Sequence, residues 1–291
     1  MMRIGFYLFL VFERIISFLP YKLLYIFSDF LYFILFYIIR YRKEIVYSNL
    51  KKSFPNKSNS ELKDIRRKFY QSLTDVILES IKSTHTNVNQ LKKKFTIIDN
   101  DIIDKLINDN KSTFIMVGHT SNWELGALLF PEKFRVKIHA VYQQQSNPYF
   151  DAYIKKMRSR FGVIPVTSKQ ALRKFAETKH ELTFNMIVGD QAPLSNVDSY
   201  WTTFLNQETA FFTGTEKMAK SLDYAVVFAS ISRVKRGYYK ANLKLITDKP
   251  KETEQYEITE KYVRCLEQYI NENPYSWLWS HRRWKRKRTN N

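Results

Sequence analysis

One stretch limits what this chain can fold into more than any other: Phe114-Ile115-Met116-Val117-Gly118-His119-Thr120-Ser121-Asn122-Trp123-Glu124. An apolar run climbs into a glycine, a histidine follows at once, and a carboxylate opens the next apolar-periodic segment. In an α/β protein a strand delivers a reactive side chain to the carboxyl edge of the sheet in this way, and ligands bind there. Positions five apart on one helix point about 140° apart around its axis. His119 and Glu124 can therefore meet only if His119 sits on the turn and Glu124 lies in the first helical turn. The carboxylate would then accept a hydrogen bond from one imidazole nitrogen and leave the other free as a base. Spacing alone fits equally well a turn histidine bonded to backbone beside a solvated glutamate.

The rest of the chain favours the first arrangement. From residue 96 onward, short apolar runs alternate with helical patterns. The strands expected are Thr113–Val117, Lys137–Tyr142, Gly162–Pro165, Leu182–Val188, Tyr224–Ile231 and Tyr239–Ile246. The helices expected are Trp123–Phe130, Tyr149–Phe161, Ser168–Glu177, Gly214–Leu222 and Glu252–Asn271. Such alternation predicts an α/β fold with a mixed, mostly parallel sheet flanked by helices. Residues 44–95 read as amphipathic helices interrupted at Phe54-Pro55-Asn56, with a helix starting at Ser60 and His85 in a polar loop. Three regions follow: 1–43, 44–95 and 96–291.

Residues 4–39 are the most apolar part of the chain. Leu23–Ile39 runs for 17 residues with Ser28 and Asp29 as its polar interruptions, then meets Arg40-Tyr41-Arg42-Lys43. The length is near the lower limit for crossing a hydrocarbon core of ~30 Å, and the basic flank would stay on the cytoplasmic side. Asp29 near mid-span favours packing against protein over full lipid exposure. A membrane-associated helix is expected, without commitment to a full crossing.

The 47 Lys+Arg against 28 Asp+Glu give a net charge of +19, which demands an anionic partner. The 7 glycines form neither a G-x-G-x-x-G nor a G-x-x-x-x-G-K phosphate loop. The single cysteine, Cys265, excludes an intramolecular disulfide and reads as a core thiol. The tail from Trp277 to Arg288 interleaves aromatic and basic residues, which suits a membrane interface or lipid phosphates and also a nucleic-acid arm. No nucleic-acid fold motif accompanies it, and no nucleic acid is expected as a partner.

Several segments join His119–Glu124 in a fixed order: Asn147-Pro148, the Arg158-Ser159-Arg160-Phe161-Gly162 run, Asp190-Gln191, Thr213-Gly214-Thr215, and the closing Trp277-Leu278-Trp279-Ser280-His281-Arg282-Arg283-Trp284-Lys285. Together with the apolar front end, they resemble the lipid A biosynthesis late acyltransferases (lauroyl/myristoyl transferases), within the glycerolipid and lysophospholipid acyltransferase superfamily. The resemblance spans residues 1 to about 288. Two departures stand out: Phe204-Leu205-Asn206 replaces a Phe-Phe-Gly common in members, and Glu124 stands where relatives often have Asp.

The resemblance implies transfer of a fatty acyl chain from acyl carrier protein, or coenzyme A, to a hydroxyl of a lipid A precursor. The setting it implies is the cytoplasmic face of a bacterial inner membrane. An acceptor that is a lysophospholipid or an amino-acid-containing lipid is the alternative. A thioester is already activated, so a base and an oxyanion donor suffice, and neither a covalent nucleophile nor a metal or other cofactor is expected. In this assignment His119 is the base and Glu124 orients it. Arg158 binds the oxyanion or an acceptor phosphate, while Asp190 and Gln191 line the crevice. Acyl carrier protein, the membrane lipid acceptor and the anionic membrane surface are the expected partners of the positive charge.

Overall fold

The computed structural model describes residues 2–98, 101–193 and 199–288. Helices α1 (Met2–Phe18) and α2 (Tyr21–Phe33) form a hairpin broken at Pro20, and a π-helical segment, Ile34–Ile38, continues the second. Next come α3 (Lys43–Ser53) and the long α4 (Asn59–Ser83). The start of α4 is a capping box in which Ser58 and Glu61 satisfy each other's backbone N–H, two residues before the start expected at Ser60.

Beyond α5 (Val88–Lys92), the chain alternates: β1 (Phe95–Ile98), α6 (Ile102–Asn108), β2 (Thr113–Val117), α7 (Trp123–Phe134), β3 (Lys137–Tyr142) and α8 (Pro148–Arg158). It continues through β4 (Val163–Thr167), α9 (Ala171–Glu177) and β5 (Thr183–Val188). The hairpin β6 (Ser199–Phe204) and β7 (Gln207–Phe212) precedes α10 (Gly214–Leu222), β8 (Ala225–Lys235), β9 (Tyr238–Thr247) and α11 (Glu257–Glu272).

Seven strands form one sheet in the order β1-β9-β8-β2-β5-β3-β4. All neighbours are parallel except β8 and β9, so the expected α/β class with a mixed, mostly parallel sheet is observed. The period of two along a buried strand divides the core between the sheet's faces. Phe114 and Met116 of β2, with Val226 and Phe228 of β8, join the cluster that includes Tyr262, Trp277 and Trp279. Ile115 and Val117, with Ala225 and Val227, face the cluster under α7.

Three strands (β1, β6 and β7), the short helix α6 and several helix boundaries escaped the sequence. β1 has only four residues, and the β6–β7 hairpin is rich in polar side chains such as Thr202, Thr203 and Gln207. That hairpin turns at Leu205-Asn206, both left-handed (φ 50° and 60°), as a type I′ turn requires. The departure from Phe-Phe-Gly therefore falls on a position where glycine would avoid the strain of a branched side chain. The helix expected from Glu252 begins at Glu257, because Pro250–Glu252 forms a 3₁₀ turn and Tyr256 is left-handed.

The α1–α2 hairpin docks on α4 through buried polar contacts. The Ser28 hydroxyl donates to Asp75 Oδ1 at 2.6 Å, and the Lys82 ammonium donates to the last carbonyls of α1, Ser17 O (2.9 Å) and Leu19 O (2.6 Å). Asp29 is paired with Arg236, which also binds Asp75, although its own side chain stays exposed. The other side of the hairpin exposes Ile4, Leu8, Val11, Ile26, Phe30 and Phe33. Tyr21–Ile38 is long and apolar enough to cross a membrane by length and composition, with a mean hydropathy of 1.5 and 22% of the segment buried.

A buried carboxyl, Glu79, ties this hairpin to the sheet edge. It accepts from Tyr25 Oη of α2 (2.9 Å), Tyr239 Oη of β9 (2.6 Å) and Asn122 Nδ2 (2.8 Å). Burial pushes its pKa up despite those three donors.

The tail enters the core as far as Arg283, while Arg282, Lys285, Lys287 and Arg288 stay exposed. Trp277, Trp279 and Arg283 are fully buried, and the Arg283 guanidinium donates to Thr209 Oγ1 and Ala210 O, each at 2.7 Å. Asn49 of α3 holds the same segment by donating to the carbonyls of Trp279 and His281. Alternating tryptophan and arginine fits an interior where each guanidinium finds acceptors, and the composition alone does not separate that from an interface.

Candidate active site

Strands β2 and β5 lie side by side in parallel with Val117 opposite Val188. Each then overhangs the sheet by the same two residues, so the register brings His119 to Asp190. Gly118 makes the approach possible, since a Cβ there would come within 2.7 Å of Leu266. The turn is held by a left-handed Ser121 (φ 46°), whose N–H donates to Ser276 O at 2.8 Å. Asn122 then caps α7 by accepting from Leu125 N, while its amide reaches Glu79.

The His119 ring is oriented by Asp190, not by Glu124. Nδ1 lies 2.6 Å from Asp190 Oδ1, and the His119 backbone N–H donates to Oδ2 at 3.0 Å. Trp277 Nε1–H also donates to Oδ2, at 2.7 Å. A carboxylate can only accept, so Nδ1 carries the proton and Nε2 presents its lone pair. Burial raises the Asp190 pKa, but the charge and hydrogen bonds of His119 with the Trp277 donor outweigh it and hold the carboxyl at about 2. Burial likewise opposes charge on His119, and Asp190 more than reverses it, so the imidazole pKa is raised above its ordinary value.

Glu124 stands in the first turn of α7 as expected, yet its partner is Arg158. Arg158 Nε donates to Glu124 Oε2 at 2.9 Å and Nη2 donates to Oε1, a bidentate pair between α7 and the end of α8. The expected hydrogen bond from His119 to Glu124 is thus corrected. A carboxylate on the neighbouring strand satisfies Nδ1, and a guanidinium takes up the local one. Arg158 Nη1 has no partner among the described residues, and Arg158 lines the same cavity as His119. Gln191 Nε2 lies 3.4 Å from His119 Nε2, so the amide stands at the lone pair.

The cavity holds about 420 Å³ and lies beyond the carboxyl ends of β2, β3 and β5. His119, Glu124, Arg158 and Gln191 form its polar side, and Trp123, Ala127, Met186 and Val188 its apolar side. Asp190 stays behind His119, buried, and acts on the cavity through the ring. All five sequence-predicted residues meet here. Trp277, Asn122 and Glu79 support them and were not expected; an indole 87 residues along the chain from Asp190 gives no local sign that it points there.

The arrangement offers an imidazole backed by a carboxylate, a cation with a free fork arm and an apolar slot. His281, which receives a 3.3 Å hydrogen bond from Ala192 N, is held neutral by burial, its pKa lowered to about 4, so it adds no charge behind the site. Cys265, on α11, packs against the core away from the cavity lining.

No curated protein matches the chain. A family model described as bacterial lipid A biosynthesis acyltransferase matches residues 1–286, nearly the whole chain. With that match over nearly its whole length, the chain belongs to the bacterial lipid A biosynthesis acyltransferase family and is an acyltransferase.

Proposed function

We propose that this enzyme moves a fatty acyl chain from the thioester of acyl carrier protein to a hydroxyl of a lipid A precursor, at the cytoplasmic face of the bacterial inner membrane. The observation that carries the proposal is the His119–Asp190 pair facing an apolar cavity that also holds Arg158. His119 Nε2 takes the proton of the acceptor hydroxyl as its oxygen attacks the thioester carbonyl. Arg158 Nη1 stabilises the resulting oxyanion or fixes an acceptor phosphate. Collapse of the tetrahedral intermediate breaks the carbon–sulfur bond, and the departing thiolate recovers the proton from the imidazolium. The apolar wall of Trp123, Ala127, Met186 and Val188 suits the hydrocarbon chain. The net charge of +19 suits an acidic carrier protein and an anionic membrane surface, and the apolar side of α1–α2 suits insertion into that surface.

Mass spectrometry of lipid A from cells with and without the gene tests the acceptor. The proposal expects lipid A lighter by one acyl group in the deletion strain, restored by the intact gene. Unchanged lipid A would overturn it.

Arg158→Ala is expected to lower turnover about 100-fold through lost positioning. It should also cost about 2–3 kcal/mol of stability, below the ~3–5 of a fully buried pair because Arg158 keeps 24% of its side chain exposed. Arg158→Lys should recover little, since a point charge cannot hold both Glu124 oxygens. Steady-state kinetics with thermal unfolding checks both effects.

A further inference from the structure

A second cavity, about 710 Å³ and larger than the catalytic one, opens between α1, the end of α4 and α8. Both of its ends are fixed. At one end Phe6 and Phe9 of α1 pack on Tyr149, Phe150 and Tyr153 of α8, with ring centroids 5.0–5.5 Å apart. At the other end the buried Glu13 accepts from the Thr84 hydroxyl and pairs with His85 Nε2 at 3.2 Å. The cavity between them survives because neither clamp lets α1 close on α8.

Its lining has a clear polarity. Leu10, Val11, Ile15 and Met157 make an apolar floor, and Arg14 and Lys156 stand over it as cations. Glu13 offsets part of this charge, but Arg14, Lys156 and Arg160 together leave the lining net positive. Arg160, also in the lining, is committed to the carbonyls of Ser83 and Thr86. Arg14 lies over the Phe18 ring and reaches His85, which holds its side chain along the cavity lining. An apolar slot lined by two exposed cations, beside the exposed apolar side of α1, matches a hydrocarbon chain bearing an anionic headgroup.

We propose that this cavity is a binding site for one anionic glycerophospholipid of the surrounding bilayer, separate from the catalytic cavity. Its chain would lie on Leu10, Val11, Ile15 and Met157, and its phosphate would meet Arg14 and Lys156. The bound lipid would brace α8, whose last residue, Arg158, reaches into the catalytic cavity to hold Glu124.

The test is native mass spectrometry of the full-length protein, stripped of lipid in a neutral detergent and titrated with phosphatidylglycerol or phosphatidylcholine. One phosphatidylglycerol is expected to bind at least about tenfold more tightly than phosphatidylcholine. Arg14→Gln with Lys156→Gln should weaken phosphatidylglycerol about thirtyfold, the loss for two cations facing an anionic headgroup. Val11→Trp, at a residue 60% exposed, should weaken both lipids by filling the slot. Unfolding curves confirm that these surface variants fold. Equal binding of the two lipids, unchanged binding in both variants, or loss of binding only in Gln191→Trp, which blocks the catalytic cavity, would each overturn the proposal.

Discussion

His119→Ala is expected to reduce acyl transfer about 10⁴-fold, the upper end of what a positioned general base supplies. The attacking hydroxyl would have no acceptor for its proton at the cavity wall, and the remaining groups only bind and polarise. The protein should still fold. Asp190 keeps the backbone N–H of residue 119 and the Trp277 indole as donors after the ring is gone. The loss is then one buried hydrogen bond, about 1–3 kcal/mol, or a fall of a few degrees in Tm for a chain of this size. Purified variant and wild type, compared for turnover and thermal unfolding, check both halves.

Asp190→Asn is expected to cost about 10³–10⁴-fold while leaving His119 in place. The carboxylate forces the proton onto Nδ1. An asparagine amide can turn its N–H towards Nδ1 and favour the tautomer in which Nε2 carries the proton and is no longer a base. Turning its oxygen there instead would leave the Trp277 indole and the His119 N–H facing an amide nitrogen. Asp190→Glu should not restore the rate, since an added methylene cannot keep both oxygens on their three donors. Glu124→Gln should lose less than Asp190→Asn, because Glu124 contacts Arg158 and not the ring. Single-turnover rates for the three variants separate these roles.

The difference between Glu124 and Asp190 marks where the sequence stops being informative. An apolar strand, a glycine and a histidine are local signals, and they place His119 at the sheet edge correctly. The orienting carboxylate comes from 71 residues away, by way of a strand pairing whose register no single segment encodes. Glu124 was the nearer carboxylate along the chain, yet the capped start of α7 points it at α8. Arg158 and Glu124 were each assigned to the site but not to one another, because their contact depends on how α8 crosses α7. Trp277, Trp279 and Arg283 of the tail were misplaced for a related reason. Tryptophans with arginines look alike at an interface and in a core until the acceptors of Arg283, Thr209 and Ala210, are in view. The five long parallel strands were legible because fully buried strands read as continuous apolar runs, and the polar β6–β7 hairpin was not.

The electrostatics of the pair also fix its pH dependence. Asp190 has a depressed pKa, so it contributes stability above its ordinary pKa of 3.8, and that contribution is lost as the pH falls towards about 2. His119 has a raised pKa, so its contribution is full below 6.5 and is lost as the pH rises through the raised value. Catalysis runs the opposite way on the histidine, because only the neutral ring is a base. The most direct test is therefore kcat/KM for acyl transfer by the wild-type enzyme across pH 5–9. A single ionisation limiting the rate on the acid side is predicted, with its midpoint above the ordinary histidine value of 6.5 and activity rising with pH through it. A rate that is flat across this range, or one whose acid limb falls below 6.5, would contradict His119 as a base strengthened by Asp190.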